Sequence, residues 1–271
     1  QQVVVAVVGR RVLPRFGPLV VRQRELGDAE PLQQFVEHAR RVLEATDAVD
    51  RQVACAVGEE AVLRAEVGVG LGVGNRRDRA HELAEGHAAA MAAGMASQEM
   101  IPVFAVYSTF LQRSYDMLLH DVALSNLHVV FAVDRAGLVG ADGETHQGIY
   151  DVGYLQTVPN MKILSPASFS ELREMLRHAV LALDGPVVVR YPKSAEGRYK
   201  DGFMQNGSFP FARCLREGGD LTLVTYGVNV NTALDAADIL QERGISAEII
   251  KLNYISPIDI DTVTASLGKT G

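Results

Sequence analysis

From residue 101 onward, apolar and polar positions follow two alternating rhythms. IPVFAVY (101–107), HVVFAV (128–133), MKILSP (161–166) and GPVVVRYP (185–192) are short, nearly continuous apolar runs. That pattern predicts strands buried on both faces. Between the first two runs, STFLQRSYDMLLHDVALSN (108–126) sets Phe110, Leu111, Tyr115, Leu118, Leu119 and Val122 at helical spacing, with Ser108 or Thr109 as its cap. SFSELREMLRHAVLAL (168–183) predicts a second helix with Ser168 near its start. Strands alternating with helices imply an α/β fold with a parallel sheet covered on both sides, whose ligands sit beyond the carboxyl ends of the strands. Three loops are expected at that edge: YSTF, DRAGLVGADGETHQG (134–148) and RYPKS.

The stretch 194–212 is polar with scattered glycine and reads as a linker. A second α/β unit follows over 213–271, truncated: DLTLVTYG (220–227) as strand, VNTALDAADILQERG (230–244) as helix, SAEIIKL (246–252) as strand. SPIDIDTVTASL (256–267) opens a further helix, with Pro257 near its first turn.

Composition changes near residue 84. Residues 1–83 contain no Lys, Ile, Ser or Tyr and are crowded with Val, Arg, Ala and Glu. Within them PLQQFVEHARRVLEATD (31–47) has helical spacing, and GVGLGVGN (68–75) reads as a flexible linker rather than a phosphate loop. The 271 residues, 48% of them apolar, suffice for a sizeable core. A net charge of −7 without a basic run argues against a nucleic-acid or anionic-membrane partner. No apolar run approaches the about 18 residues of a membrane helix, and VVVAVV (3–8) is too short for a signal-peptide core. Cys55 and Cys214 show no metal-ligand spacing and read as reduced thiols. The expectation is a cytoplasmic protein with no membrane contact.

Candidate chemistry clusters around the predicted loops. Glu85 precedes HAAAMAAGMA, a helix small enough on its surface for close approach. There it is either a half-buried, proton-exchanging carboxylate or a solvated helix-start glutamate. Tyr107 and Phe110 straddle a strand-to-helix turn, as core or as site, and Arg113 lies on the helix beyond. His146, in a glycine-rich loop at a strand's carboxyl end, suits a general acid or base near neutral pH. Arg135 and Lys193 occupy two loops at one sheet edge and can converge on an anion.

AEGHAAAMAAGMA, VYSTFLQRSYDMLLHDVAL, FAVDRAGLVGADGETHQG, SPAS and VRYPK together resemble the pyrimidine-binding domain of the 1-deoxy-D-xylulose-5-phosphate synthases, transketolase-like enzymes that use thiamine diphosphate. The resemblance covers 84–193 and extends more weakly through 213–271, toward the group's C-terminal domain. It implies that Glu85 bonds the cofactor's aminopyrimidine and that Phe110 stacks on that ring, with Arg113 near the cofactor. It also implies that Tyr107, Arg135 and Lys193 handle glyceraldehyde 3-phosphate, while Asp142 and His146 serve pyruvate binding and proton transfer. The implied reaction is condensation of pyruvate with glyceraldehyde 3-phosphate with loss of CO2, feeding isoprenoid, thiamine and pyridoxal synthesis, in an enzyme that is a homodimer at full length.

Three departures qualify that expectation. Gly86 stands where the family has Gln or Glu, and Lys193-Ser194 where it has Arg-Gly. No GDG…N motif is present. The family's Mg2+ ligands are therefore expected on an N-terminal domain missing here, and no metal site is expected in this chain. Residues 1–83 are expected to be an atypical segment, frame-shifted, misjoined or foreign. The chain alone is expected to be inactive. A subunit of a split enzyme needing a partner chain, and a non-catalytic binding or regulatory module, are the alternative readings.

Overall fold

The computed structural model describes residues 4–9, 53–57, 76–202, 204 and 209–270. The segments 31–47 and 68–75 lie outside the described residues. In chain order the elements are β1 (Val4–Gly9), β2 (Val53–Val57), α1 (Arg76–Ala96) and β3 (Met100–Tyr107). A broken helical segment α2 (108–123) and β4 (Val130–Asp134) follow. Next come α3 (Asp151–Leu155), β5 (Lys162–Leu164), α4 (Phe169–Leu181) and β6 (Val187–Arg190). The C-terminal part comprises β7 (Ala212–Arg216), β8 (Leu221–Tyr226), α5 (Asn229–Glu242), β9 (Ala247–Leu252), β10 (Tyr254–Ser256) and α6 (Ile260–Thr270).

The large sheet has the order β10-β5-β6-β4-β3-β1-β2. Its centre, β5-β6-β4-β3, is parallel as the apolar runs predict. Its outer strands are not: β10 runs antiparallel to β5, and β1 antiparallel to β3. The sheet is therefore mixed. The smaller sheet, β7-β9-β8, is also mixed, with β8 parallel and β7 antiparallel to β9.

Both faces of the large sheet are covered, and strand alternation sorts the core into two layers. Phe104, Val106, Phe131 and Val133 face α1 and α2. Val103, Ala105, Val130 and Ala132 face α4. Helix α1 buries Ala88, Ala89, Ala92 and Ala93, a stripe of methyl groups that brings its backbone close to β3.

Segment α2 is not the single helix its periodicity predicts. An α turn at Ser108–Leu111 passes through a 3₁₀ turn at Gln112–Ser114 and an α turn at Tyr115–Met117 into a π segment at Leu118–Ala123. Within the 194–212 stretch, read as a linker, Tyr199 is anchored to the folded body. The Tyr199 hydroxyl donates to Glu171 Oε1 at 2.8 Å, and Lys251 Nζ lies 3.0 Å from that same oxygen. Ser168 caps α4 by accepting from the Glu171 N–H at 3.1 Å. The last helix begins at Ile260 rather than beside Pro257: Asp259 accepts the Thr262 N–H at 3.0 Å and caps it there, and β10 ends before the proline.

Candidate functional site

Glu85 lies in the middle of α1, not at the start of a helix as its position before the Ala-rich run suggests. The helix begins upstream in RRDRAHEL, and Gly86 is likewise a buried mid-helix residue. A glutamate there receives no help from a helix N-terminus. It is nevertheless 2% exposed. Oε1 lies 3.7 Å from Arg113 Nη1, and buried Oε2 has no hydrogen-bond partner among the described residues. A buried carboxylate oxygen without a donor is costly unless something supplies one. A Cβ at Gly86 would come 3.0 Å from Met117 Cε, so glycine leaves that methyl its place against α1.

An aromatic wall adjoins the carboxylate. Phe110 is buried, with the Arg113 guanidinium 5.2 Å from its ring centroid. Tyr107 stacks on Phe110 at 5.6 Å, and His146 meets Phe110 edge-on at 5.3 Å. The His146 Nδ1 lies 2.8 Å from Thr145 Oγ1.

At the far end of this wall the contacts become ionic. The Arg135 guanidinium lies 4.0 Å from the Tyr107 ring centroid, and its Nη2 donates to the Tyr107 hydroxyl at 2.8 Å. Arg135 Nη1 donates to Asp142 Oδ2, and Lys193 Nζ donates to Asp142 Oδ1 at 3.2 Å. The Arg135 bond, with a smaller contribution from Lys193, holds the Asp142 carboxyl below the usual range. The eight residues singled out in the sequence thus form one connected set: Glu85, Arg113, Phe110, Tyr107, Arg135, Asp142 and Lys193 in succession, with His146 branching from Phe110. Arg135 and Lys193 both face Asp142, so an incoming anion meets them already paired.

The loop that brings these groups together is braced by residues to which the sequence reading assigned no role. Gly137 and Gly148 exchange backbone hydrogen bonds at 2.7 and 2.9 Å. A Cβ on Gly148 would lie 2.2 Å from the Arg135 carbonyl oxygen and 2.8 Å from Ser108 Cβ. Gln147 accepts from the Val139 N–H at 2.7 Å and donates to the Val139 and Gly143 carbonyls at 3.0 and 2.6 Å. Asp134 accepts the Arg135 N–H at 2.6 Å, where Arg135 adopts φ +58°. Burial pushes the Asp134 carboxyl up. Asp151, just past the loop, forms a buried ion pair with Arg190 at the end of β6. The available signal was weak: a polar glutamine in a glycine loop, and an arginine inside an otherwise apolar strand.

A cavity of about 690 Å³ opens beside this cluster, over the ends of β4, β5 and β6. Arg135 and Lys193 line it, whereas Glu85 and Phe110 do not. Among the described residues, Cys214, Glu217 and Glu248 are close enough to share an ion. Lys269 already bonds both glutamates, at 2.8 Å to Glu248, and offsets part of their charge from within. No described helix is long and apolar enough to cross a membrane.

The family model for the transketolase pyrimidine-binding domain matches residues 38–197, and that for the transketolase C-terminal domain matches residues 211–271. The first match begins upstream of the composition change near residue 84. The 1-deoxy-D-xylulose-5-phosphate synthase of Gloeothece citriformis (strain PCC 7424) is 45% identical over 193 residues, covering 70% of this chain and 30% of that protein. That of Chlorobium phaeovibrioides (strain DSM 265 / 1930) is 46% identical over 191 residues, covering 68% and 30%. The chain thus spans 30% of the length of these relatives. Among solved structures, a split-gene transketolase described as an inactive β4 tetramer superposes with a TM-score of 0.57 at 27% identity, over 69% of this chain and 60% of that one. A transketolase variant from Pichia stipitis gives 0.51 at 20% identity, over 61% and 25%, a likeness of fold.

Proposed function

The chain belongs to the transketolase family, and from that premise we propose that it supplies the pyrimidine-binding half of a thiamine diphosphate site in an enzyme of the 1-deoxy-D-xylulose-5-phosphate synthase type. The reaction would join pyruvate to glyceraldehyde 3-phosphate with loss of CO2, at the head of isoprenoid, thiamine and pyridoxal synthesis in the cytoplasm. The single observation that carries the reading is Glu85, a buried carboxylate whose Oε2 lacks a donor among the described residues and which Arg113 links to the Phe110 wall. An aminopyrimidine fits that requirement, since its protonated ring nitrogen provides the missing N–H.

When bound, the cofactor supplies a nucleophilic carbon that can take up and release a two-carbon unit. The roles of the chain's own residues follow from their chemistry. Glu85 would hold the proton at the pyrimidine ring nitrogen, with the Arg113 guanidinium 3.7 Å from its other oxygen. Phe110 packs against the ring. His146 and Asp142 would serve pyruvate binding and proton transfer near the reacting carbon, His146 by carrying the proton and Asp142 by holding Arg135 and Lys193 in place. Tyr107, Arg135 and Lys193 orient the phosphorylated acceptor. Mg2+ and the diphosphate would be held by residues outside this chain, in a dimeric full-length enzyme. The composition change near residue 84 is taken as the boundary of the pyrimidine-binding unit, which runs to residue 193, with 194–212 as the connection and 213–271 as the C-terminal unit.

Calorimetric titration of the chain with thiamine diphosphate tests the half-site. Glu85→Gln should weaken binding about tenfold to a hundredfold, the worth of a hydrogen bond to a charged group. Equal affinity in both proteins would sink the assignment. Pyruvate-dependent CO2 release should be absent for the chain alone and appear once a diphosphate-binding domain is added.

The likeness to a split-gene transketolase favours a second reading, in which that missing half is a separate polypeptide. Co-expression with such a chain should then yield a stable complex with turnover.

A further inference from the structure

We propose that Gln147 is a positioning residue that makes Asp142 and His146 move as one body, so that a change at Lys193 is felt at the imidazole. The two side chains have separate partners. Asp142 is bonded to Arg135 and Lys193, whereas His146 contacts Thr145 and Phe110. Gln147, which follows His146 in the chain, supplies the connection between them.

A side-chain amide both donates and accepts, and Gln147 uses both ends. Its Oε1 accepts the Val139 N–H at 2.7 Å and its Nε2 donates to the Val139 carbonyl at 3.0 Å. The amide thus pairs with one peptide unit as a neighbouring strand would. Nε2 also donates to the Gly143 carbonyl at 2.6 Å. The Val139 carbonyl accepts a further bond, from the Asp142 N–H at 3.2 Å, which closes the tight turn at Gly140–Asp142. Gln147 therefore grips the backbone on both sides of Asp142, at Val139 before the turn and at Gly143 after it. A side chain that holds both ends of a turn passes any displacement of that turn to its own backbone, and His146 is the preceding residue. Thr145 restrains the ring itself, with Oγ1 2.8 Å from Nδ1.

A second route joins the same two ends, from Arg135 through Tyr107 and Phe110 to His146. Its ring contacts are less directional than the three bonds of Gln147, and it starts at Arg135. Lys193 bonds Asp142, so a change made at Lys193 enters through the turn that Gln147 holds. What the coupling does for pyruvate and the acceptor rests on the roles proposed above for Asp142 and His146. The coupling itself is measured without cofactor or substrate, so its failure is distinct from a failure of the thiamine diphosphate titration.

A double-mutant cycle on the 271-residue chain tests it, read by the NMR shifts of the His146 ring protons. Lys193→Met removes one of the two cations on Asp142 and should move those resonances. In a Gln147→Met background the same substitution should move them less than about half as far. Gln147→Glu keeps the shape of the side chain but, at neutral pH, has no hydrogen for the two carbonyls, and should uncouple the ends as methionine does. In the unsubstituted chain the Gln147 amide hydrogens should exchange with water at least about tenfold more slowly than those of exposed Gln98. That measurement stands even where a substituted chain fails to fold. No response of His146 to Lys193→Met, an undiminished response with Gln147→Met, full coupling retained in Gln147→Glu, or Gln147 exchange as fast as that of Gln98 would each overturn the proposal.

Discussion

Arg190 and Asp151 form a buried two-pronged ion pair, Nε to Oδ2 at 2.8 Å and Nη2 to Oδ1 at 3.1 Å. The pair ties the end of β6, which leads to Lys193, to the start of α3, which follows His146. It therefore fixes the spacing of the two loops whose residues meet at Asp142. Removing one member leaves the other charge buried and unpaired. Asp151→Ala or Arg190→Met should each cost about 3–5 kcal/mol in urea denaturation. The double apolar replacement Asp151→Leu with Arg190→Met should recover most of that loss, and a double variant no better than the singles would refute the account.

Glu85 invites the opposite prediction. Among the described residues its buried Oε2 lacks a donor, and the Arg113 guanidinium lies 3.7 Å from the other oxygen. A neutral amide removes the burial penalty on the charge. Glu85→Gln should therefore melt at the same temperature as the parent or higher, even as it loses affinity for thiamine diphosphate. Clear destabilisation in a thermal scan would show that the carboxylate serves the fold instead.

Strand β4 was legible because HVVFAV is apolar on both faces and nothing else in the chain competes to explain it. The helical nature of 108–123 was legible too, but not its breaks: apolar spacing reports which side faces the core, not whether each turn is 3₁₀, α or π. Glu85 was recognised by motif yet misplaced within its helix, since the Ala-rich run that signals burial begins only after it. Strand β10 escaped notice because three residues beside a proline have no period, and its partner β5 lies far back in the chain. Asp151 and Arg190 escaped for the same reason, being 39 residues apart with no local pattern joining them.

The pH dependence of the loop should be set by Asp142. Its carboxyl is held low by the hydrogen bond from Arg135 and, secondarily, by Lys193. A carboxylate whose pKa is depressed on folding contributes stability that is present above its unfolded value, about 3.9, and lost as pH falls through the folded value. The stability difference between the parent and Asp142→Asn should hold between neutral pH and about pH 5, then shrink on further acidification. A difference that stays constant down to about pH 2 would contradict this.

Gly148 should tolerate no side chain. A Cβ would meet the backbone of Arg135, which cannot rotate away as a side-chain tip could. Gly148→Ala should cost about 1–3 kcal/mol, as overpacking of a filled site does. It should also push Arg135 off Tyr107, visible as a change in the Tyr107 ring resonances.

Strand β10 carries a consequence for how such chains can be cut and recombined. It belongs by sequence to the C-terminal part, yet it forms the outer edge of the first sheet, with Tyr254 packed in one core layer and Ile255 in the other. A polypeptide ending in the 194–212 crossover would leave β5 as a bare edge, with the backbone of Ile163 and Leu164 open to pairing with a second copy. The two family domains are adjacent beads in sequence but interlocked in space. A graft that exchanges the C-terminal part must carry its donor's version of YIS, or the recipient sheet is left one strand short.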